Sequence, residues 1–336
     1  MTPGIKPSAH SCFMIRRLFT IVIAAAGVSG FTPDSVRTHL LPLSDVPAGG
    51  YPAPVRGYFR YYGLDFPDTR HRFGTFRSDS FTVAAHLFEP DTGRGTVLII
   101  HGYYDHAGIV RNMIALALDS GFTVAAIDLP GHGLSTGRRS SIEDFSHYAR
   151  CIAAFLDAHA DALPPPLILA GHSTGCAAII EYLHVYGGAR VDRAVLCAPL
   201  VRSTYWGWAV TAQTLGGWWL PYTGRWFRNE SSDTAWLSWY RREPLQERRF
   251  PTRWFAAAKA WSERIGTYEQ LTAPVVMIQG DRDDTVDWRY NAKALQTLCR
   301  GFSVRMIEGG RHQLANEGPI LRDEFLRVLG EEIAGK

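Results

Sequence analysis

Six short apolar segments, at residues 96–100, 123–127, 167–170, 193–197, 275–279 and 303–307, alternate with stretches of helical periodicity. Runs of that length bounded by turn residues are consistent with buried strands. Their alternation with helices implies a mostly parallel sheet covered on both faces. Upstream, Phe73–Phe76 and Phe81–Phe88 alternate around the polar turn Ser78-Asp79-Ser80, as expected of an antiparallel edge hairpin. Ligands of such sheets bind beyond the carboxyl ends of the strands, so the informative residues are those that follow each segment.

The rhythm divides the chain. Residues 71–200 and 272–336 form the two parts of the core, and residues 31–70, rich in Pro, Gly and Tyr, form an arm to which no chemistry is assigned. Between the core parts, residues 201–271 interrupt the alternation for about seventy residues, too many for an ordinary connection, and are expected to form a helical cap. This insert holds nine of the ten tryptophans, interleaved with arginines such as Arg225, Arg228, Arg241 and Arg242. Half or more of the tryptophans are expected to pack the cap's own interior. The others, with the arginines at the margins, suit an acyl chain or a membrane interface. At the N-terminus, Arg16-Arg17 precede an apolar stretch, Leu18–Val28, shorter than the roughly 20 residues that span a bilayer. Residues 1–30 therefore suggest export or membrane association; the alternatives are an uncleaved helix packed on the domain or lying on a membrane, and a cytoplasmic location.

Composition excludes several classes. The chain has 336 residues, 46% hydrophobic and 20% charged, as an ordinary globular protein does. A formal charge of +3 without basic runs gives no reason to expect a nucleic-acid partner. The five cysteines lack metal or redox spacing and are expected to be buried thiols, no histidine pair has zinc-ligand spacing, and no cofactor or metal is expected.

The chemistry centres on Gly171-His172-Ser173-Thr174-Gly175, which follows the apolar run Leu167–Ala170 and opens a helical pattern. This is a G-x-S-x-G elbow in its required strand-to-helix context. Ser173 needs a base to take its proton, and the base needs an acid to hold its tautomer; in this arrangement the acid and the histidine follow the serine, each after a later strand. His312, after the last strand, is the only histidine beyond His184. Among Asp281, Asp283, Asp284 and Asp287, Asp283 is favoured as the acid, with Asp281 as the alternative and Asp284 and Asp287 expected to be solvated or to cap the next helix. The backbone N–H groups of Thr174 and Tyr103, the latter after the turn at Gly102, are the expected oxyanion donors. His101, His106, His132 and His172 are expected to brace these loops.

Together, His101-Gly-Tyr-Tyr-Asp-His106, Asp128-Leu-Pro-Gly-His-Gly133, Gly171–Gly175, Gly280–Val286 and His312–Glu317 resemble the α/β-hydrolase fold. More narrowly, they are similar to the monoacylglycerol lipase and lysophospholipase branch of the serine aminopeptidase-like hydrolases. The resemblance runs from about Phe73 to the C-terminus. It implies an eight-stranded-type sheet, an acyl-enzyme on Ser173 with His312 as base and Asp283 as orienting acid, and a lipid-like ester substrate. Thr174 departs from the Met or Gln often found after the nucleophile, and the cap has more tryptophan than expected. A general carboxylesterase or thioesterase, an acyltransferase, an aminopeptidase, or a receptor of the same fold are the alternatives, and the oligomeric state is left open.

Overall fold

The computed structural model describes residues 30–46, 50–217 and 219–335. Eight strands form one sheet: β1 (Thr69–Ser78), β2 (Phe81–Pro90), β3 (Thr96–Ile100), β4 (Thr123–Ile127), β5 (Leu167–His172), β6 (Arg193–Cys197), and, beyond a two-stranded ribbon of β7 (Tyr222–Gly224) and β8 (Arg249–Pro251), β9 (Val275–Gly280) and β10 (Ser303–Ile307). Their order is β1-β2-β4-β3-β5-β6-β9-β10. β2 runs antiparallel to β1 and β4, and every other pair in the sheet is parallel. The hairpin turn is tighter than the sequence suggests: Ser78 pairs with Phe81, and Asp79 takes φ 49° to close the two-residue loop.

Alternation along the strands builds two cores. Leu98, Ile100, Leu169, Leu196 and Met277 face one side, where the helices Ser146–Ala158 and Thr174–Tyr186 cover them. Val97, Ile99, Ile168, Val195 and Ile278 face the other, under the helices Arg111–Asp119 and Pro319–Ala334. With both faces covered, the inner strands are largely apolar, which is why they read as short apolar runs, whereas the edge strand β10 is mostly exposed.

The arm is more regular than its composition suggests. Its helix Ala53–Tyr62 buries Val55, Tyr58, Phe59 and Tyr62, spaced to share one face, against the second core. Residues 201–271 contain the helices Trp206–Ala212, Thr234–Tyr240 and Thr252–Arg264 together with the β7/β8 ribbon. The last helix is anchored through Trp261, whose Nε1–H donates to buried Glu181 at 2.9 Å. Glu181 also accepts from the Tyr268 hydroxyl.

The tryptophan expectation needs correction. Of the eight described tryptophans in this segment, only Trp236, Trp254 and Trp261 are buried, while Trp208, Trp219 and Trp226 are 71–86% exposed. The buried three belong to helices that pack on the core, whereas the exposed three lie in the stretch 206–226. The N-terminal segment up to residue 29, with Cys12, lies outside the described residues. The other four cysteines are free and buried.

Candidate active site

Ser173 caps the helix Thr174–Tyr186 with φ 51° and ψ −111°, a conformation rarely adopted by a residue with a side chain. Such backbone strain costs on the order of 1–3 kcal/mol and persists only where the surroundings enforce it. They do so by close packing. A Cβ at Gly171 would lie 2.8 Å from the Cys176 nitrogen, and one at Gly175 would collide with the Ile100 carbonyl. The Ser173 N–H donates to the Cys197 carbonyl at 3.0 Å, tying the elbow to β6.

Two later loops converge on the serine. His312 follows β10, and its Nε2 lies 3.0 Å from Ser173 Oγ. Its Nδ1 lies 2.8 Å from Asp283 Oδ2, in the loop after β9. All three residues are 4–6% exposed, so the chain they form is shielded from water. Asp283 has further donors: Thr285 N (2.8 Å) and Val286 N (3.2 Å) to Oδ1, and Gln279 Nε2 (3.1 Å) to Oδ2. Burial opposes its ionisation, but His312 and these donors outweigh it and hold the carboxyl below its usual range. Burial likewise opposes a charge on His312, yet the Asp283 carboxylate raises the imidazole above its ordinary 6.5. Asp281 is placed elsewhere: its Oδ1 accepts from Gly309 N at 2.7 Å and braces the turn before His312. Asp287 caps the helix Trp288–Leu298 by accepting from Tyr290 N.

Thr174 is the first residue of its helix, so its N–H has no acceptor within that helix. Tyr103 follows Gly102, where a Cβ would stand 2.6 Å from His172 Nδ1. Tyr103 is held by its hydroxyl, which donates to the Ser140 carbonyl at 2.7 Å, and by stacking on Trp254 at 3.7 Å between ring centroids. The loop is pinned from below by Asp128, which accepts from Ala107 N and Leu134 N, both at 2.8 Å.

The other histidines make loop contacts. His101 accepts from Leu129 N through Nε2 at 2.9 Å and donates through Nδ1 to the Gly102 carbonyl, and burial lowers its pKa. His106 accepts from Gly108 N, and His132 Nδ1 meets the Pro130 carbonyl. His172 donates through Nε2 to the His312 carbonyl at 3.0 Å, and so touches the loop that carries His312.

Several contributors had no role in the sequence. Asp105, 1% exposed, accepts from the Tyr240 hydroxyl (2.7 Å) and Gln313 Nε2 (3.1 Å), with His172 Nδ1 at 3.3 Å. Burial opposes its charge, but His172, Tyr240 and Gln313 hold its carboxyl well below the usual range. Gln279, a lone polar residue ending an apolar strand, was the one such signal available in the sequence. Tyr240 and Gln313 carry none, since only folding brings them to Asp105. Above the site, residues 225–230 cross from the cap: Arg225 lies 3.7 Å over the Tyr104 ring, Arg228 donates to the Asp284 carbonyl, and the Glu230 carbonyl accepts from Gln313 N at 2.8 Å. Burial pushes the Glu230 carboxyl up, against the pull of His312 and Arg225. Among the described residues no group of three or more His, Cys, Asp or Glu side chains could hold a metal ion.

A parallel sheet of this order, with an elbow serine ending its central strand and a histidine and carboxylate on the next strands' loops, defines the class as an α/β hydrolase. Within that class the model of the serine aminopeptidase S33 family matches residues 91–319, and the chain belongs to that family. It is 33% identical over 119 residues to a monoacylglycerol lipase of Mycolicibacterium smegmatis, covering 35% of this chain and 42% of that protein. A phospholipase of Bacillus subtilis is 30% identical over 112 residues, covering 33% of this chain and 43% of its own. The chain thus spans less than half the length of these two relatives. It is also 28% identical over 262 residues to the monoglyceride lipase of Mus musculus, covering 72% of this chain and 83% of that one. In fold it is similar to a monoglyceride lipase of Saccharomyces cerevisiae solved with a substrate analogue, at TM-score 0.66 and 16% identity, over 77% of this chain and 93% of that one.

Proposed function

We propose that this protein hydrolyses carboxylic esters of lipid-like substrates, monoacylglycerols or lysophospholipids, through an acyl-enzyme on Ser173. The observation that carries this is the hydrogen-bonded path from Asp283 through His312 to Ser173. As Ser173 Oγ attacks the ester carbonyl, His312 Nε2 takes its proton, and Asp283 keeps Nδ1–H oriented and stabilises the imidazolium. The N–H groups of Tyr103 and Thr174 receive the negative charge of the tetrahedral intermediate, each contributing about 3–4 kcal/mol. His312 then protonates the leaving alkoxide, releasing the alcohol. Water attacks the acyl-Ser173 ester with His312 again accepting a proton, and the acid departs as the serine regains its hydrogen.

The lipid-like substrate class is supported by the relatives' names and by the cap. Tyr205, Trp208, Leu215, Trp219, Leu220 and Trp226 are 57–86% exposed within one short stretch. Residues 201–271 carry ten Lys and Arg against six Asp and Glu, so the cap is net basic while the rest of the chain is slightly acidic. Exposed indoles beside basic residues favour contact with a membrane surface, and residues 1–30 are proposed to deliver the chain there. Fatty-acid release from monoacylglycerol and lysophospholipid of one acyl chain, with Ser173→Ala as control, tests the assignment. Release that persists in the variant would end it, and the ratio of the two substrates decides the head group.

A further inference from the structure

Asp105 is the meeting point of four parts of the site. It lies in the loop after β3, two residues past Tyr103. Its carboxylate takes the side-chain amide of Gln313, the residue after His312, and faces His172, the residue before Ser173. His172 in turn donates to the His312 carbonyl, so the backbone that follows the histidine is fixed at two successive residues by groups that Asp105 contacts. The Gln313 amide has one orientation available, because its Oε1 accepts from Asn316 Nδ2 at 3.0 Å while Nε2 donates to Asp105. The fourth part is the cap: the Tyr240 hydroxyl, at the end of the helix Thr234–Tyr240, donates to Asp105 Oδ1 at 2.7 Å. Tyr240 is itself buried and stacked on Trp236 with 4.7 Å between ring centroids.

A buried carboxylate that accepts from a hydroxyl and an amide, with an imidazole nitrogen 3.3 Å away, holds these groups more firmly than a neutral acceptor would, since charge-assisted bonds are roughly twice as strong. Asp105 makes no hydrogen bond to Ser173 or to the His312 ring; its charge favours the protonated imidazole through space, and its contacts reach the His312 backbone. We propose that Asp105 is a positioning residue for His312, acting through His172 and Gln313, and that its bond to Tyr240 makes the seating of the cap a condition for the alignment of the base. This rests on the assignment of Ser173 and His312 to ester hydrolysis. It gives the cap a purpose beyond contact with lipid: the cap helix completes the support of the base.

The leaving group supplies the test. An alkyl alcohol must receive a proton from His312 as the intermediate collapses, whereas p-nitrophenolate departs without one. A displaced His312 therefore loses more on the alkyl ester, while a smaller folded fraction lowers both rates by one factor. Asp105→Asn and Tyr240→Phe would be compared with the full-length wild type on butyrate esters of glycerol and of p-nitrophenol, measuring kcat/KM. For Asp105→Asn the loss on the glyceryl ester should exceed that on the p-nitrophenyl ester by about tenfold or more, within the range of proton-transfer effects. Tyr240→Phe removes one hydroxyl and keeps the ring stack, and should give the same asymmetry at roughly threefold. It keeps the test open if Asp105→Asn does not fold. Equal losses on both esters, or none, in the variants that fold would overturn the positioning role while leaving ester hydrolysis standing. A wild type inactive on both esters, or a Ser173→Ala variant still active on them, would overturn the assignment of the reaction and this inference with it.

Discussion

Replacing Asp283 by Asn changes one atom in the site and should cost about four orders of magnitude in kcat. In the wild type, Oδ1 takes two backbone N–H groups and Oδ2 takes His312 Nδ1–H and the Gln279 amide. An Asn amide can satisfy only one side. With its oxygen toward Thr285 and Val286, its NH2 faces His312, which must then carry its proton on Nε2 and cannot accept one from Ser173. With the amide reversed, the NH2 meets two backbone N–H groups that have lost their acceptor, at about 1–3 kcal/mol each. The first arrangement preserves the fold, and a 10⁴-fold loss corresponds to about 5.5 kcal/mol of transition-state stabilisation. Asp281→Asn is the matched control, because an Asn oxygen still accepts from Gly309 N; it should retain activity within about threefold. Initial rates on one p-nitrophenyl ester at fixed pH, normalised to folded protein by circular dichroism, would compare the two. A larger loss at Asp281, or more than a tenth of wild-type activity in Asp283→Asn, would refute this account of the acid.

Ser173→Ala should lower turnover by about 10⁶-fold with the thermal midpoint little changed. The pH profile follows from His312: the imidazole must be neutral to accept the serine proton, and Asp283 raises its pKa, so kcat/KM should climb with pH through a midpoint above 6.5, read from rates between pH 5 and 9. Tyr62→Phe removes the 2.6 Å bond that the arm helix gives to buried Glu243, and chemical unfolding should show a loss of about 1–3 kcal/mol. Trp208→Ala with Trp226→Ala should weaken sedimentation with anionic vesicles while leaving hydrolysis of a soluble ester within about twofold, since both side chains point into solvent.

The fold was legible because burial on both faces makes each inner strand a short apolar run, and such runs can be found without partners. The elbow was legible because its glycines stand at fixed spacing around the serine, although only Gly171 is demanded by a neighbour along the chain, the Cys176 nitrogen, while Gly175 is demanded by the Ile100 carbonyl of another strand. The helix at Ala53–Tyr62 carries the same kind of signal in Val55, Tyr58, Phe59 and Tyr62, but the prolines and glycines around it obscure that period.

Other features were decided in three dimensions. Asp281 and Asp283 are two residues apart in a loop with four aspartates, and nothing local separates them. The separation comes from register: β9 and β10 pair Ile307 with Gly280, which brings the His312 loop over the Asp283 carboxylate and leaves Asp281 to the Gly309 amide. Asp105, Tyr240 and Gln313 are 73 to 208 positions apart and meet only because the helix Thr234–Tyr240 and the loop after β10 both pack against the loop after β3. The sequence by itself determined the strands, the strained turn and the residue types available for proton transfer, because those depend on neighbours along the chain. Which carboxylate faces the histidine, and which tryptophans face water, depends on elements distant in sequence packing together, so only the tertiary structure decided them.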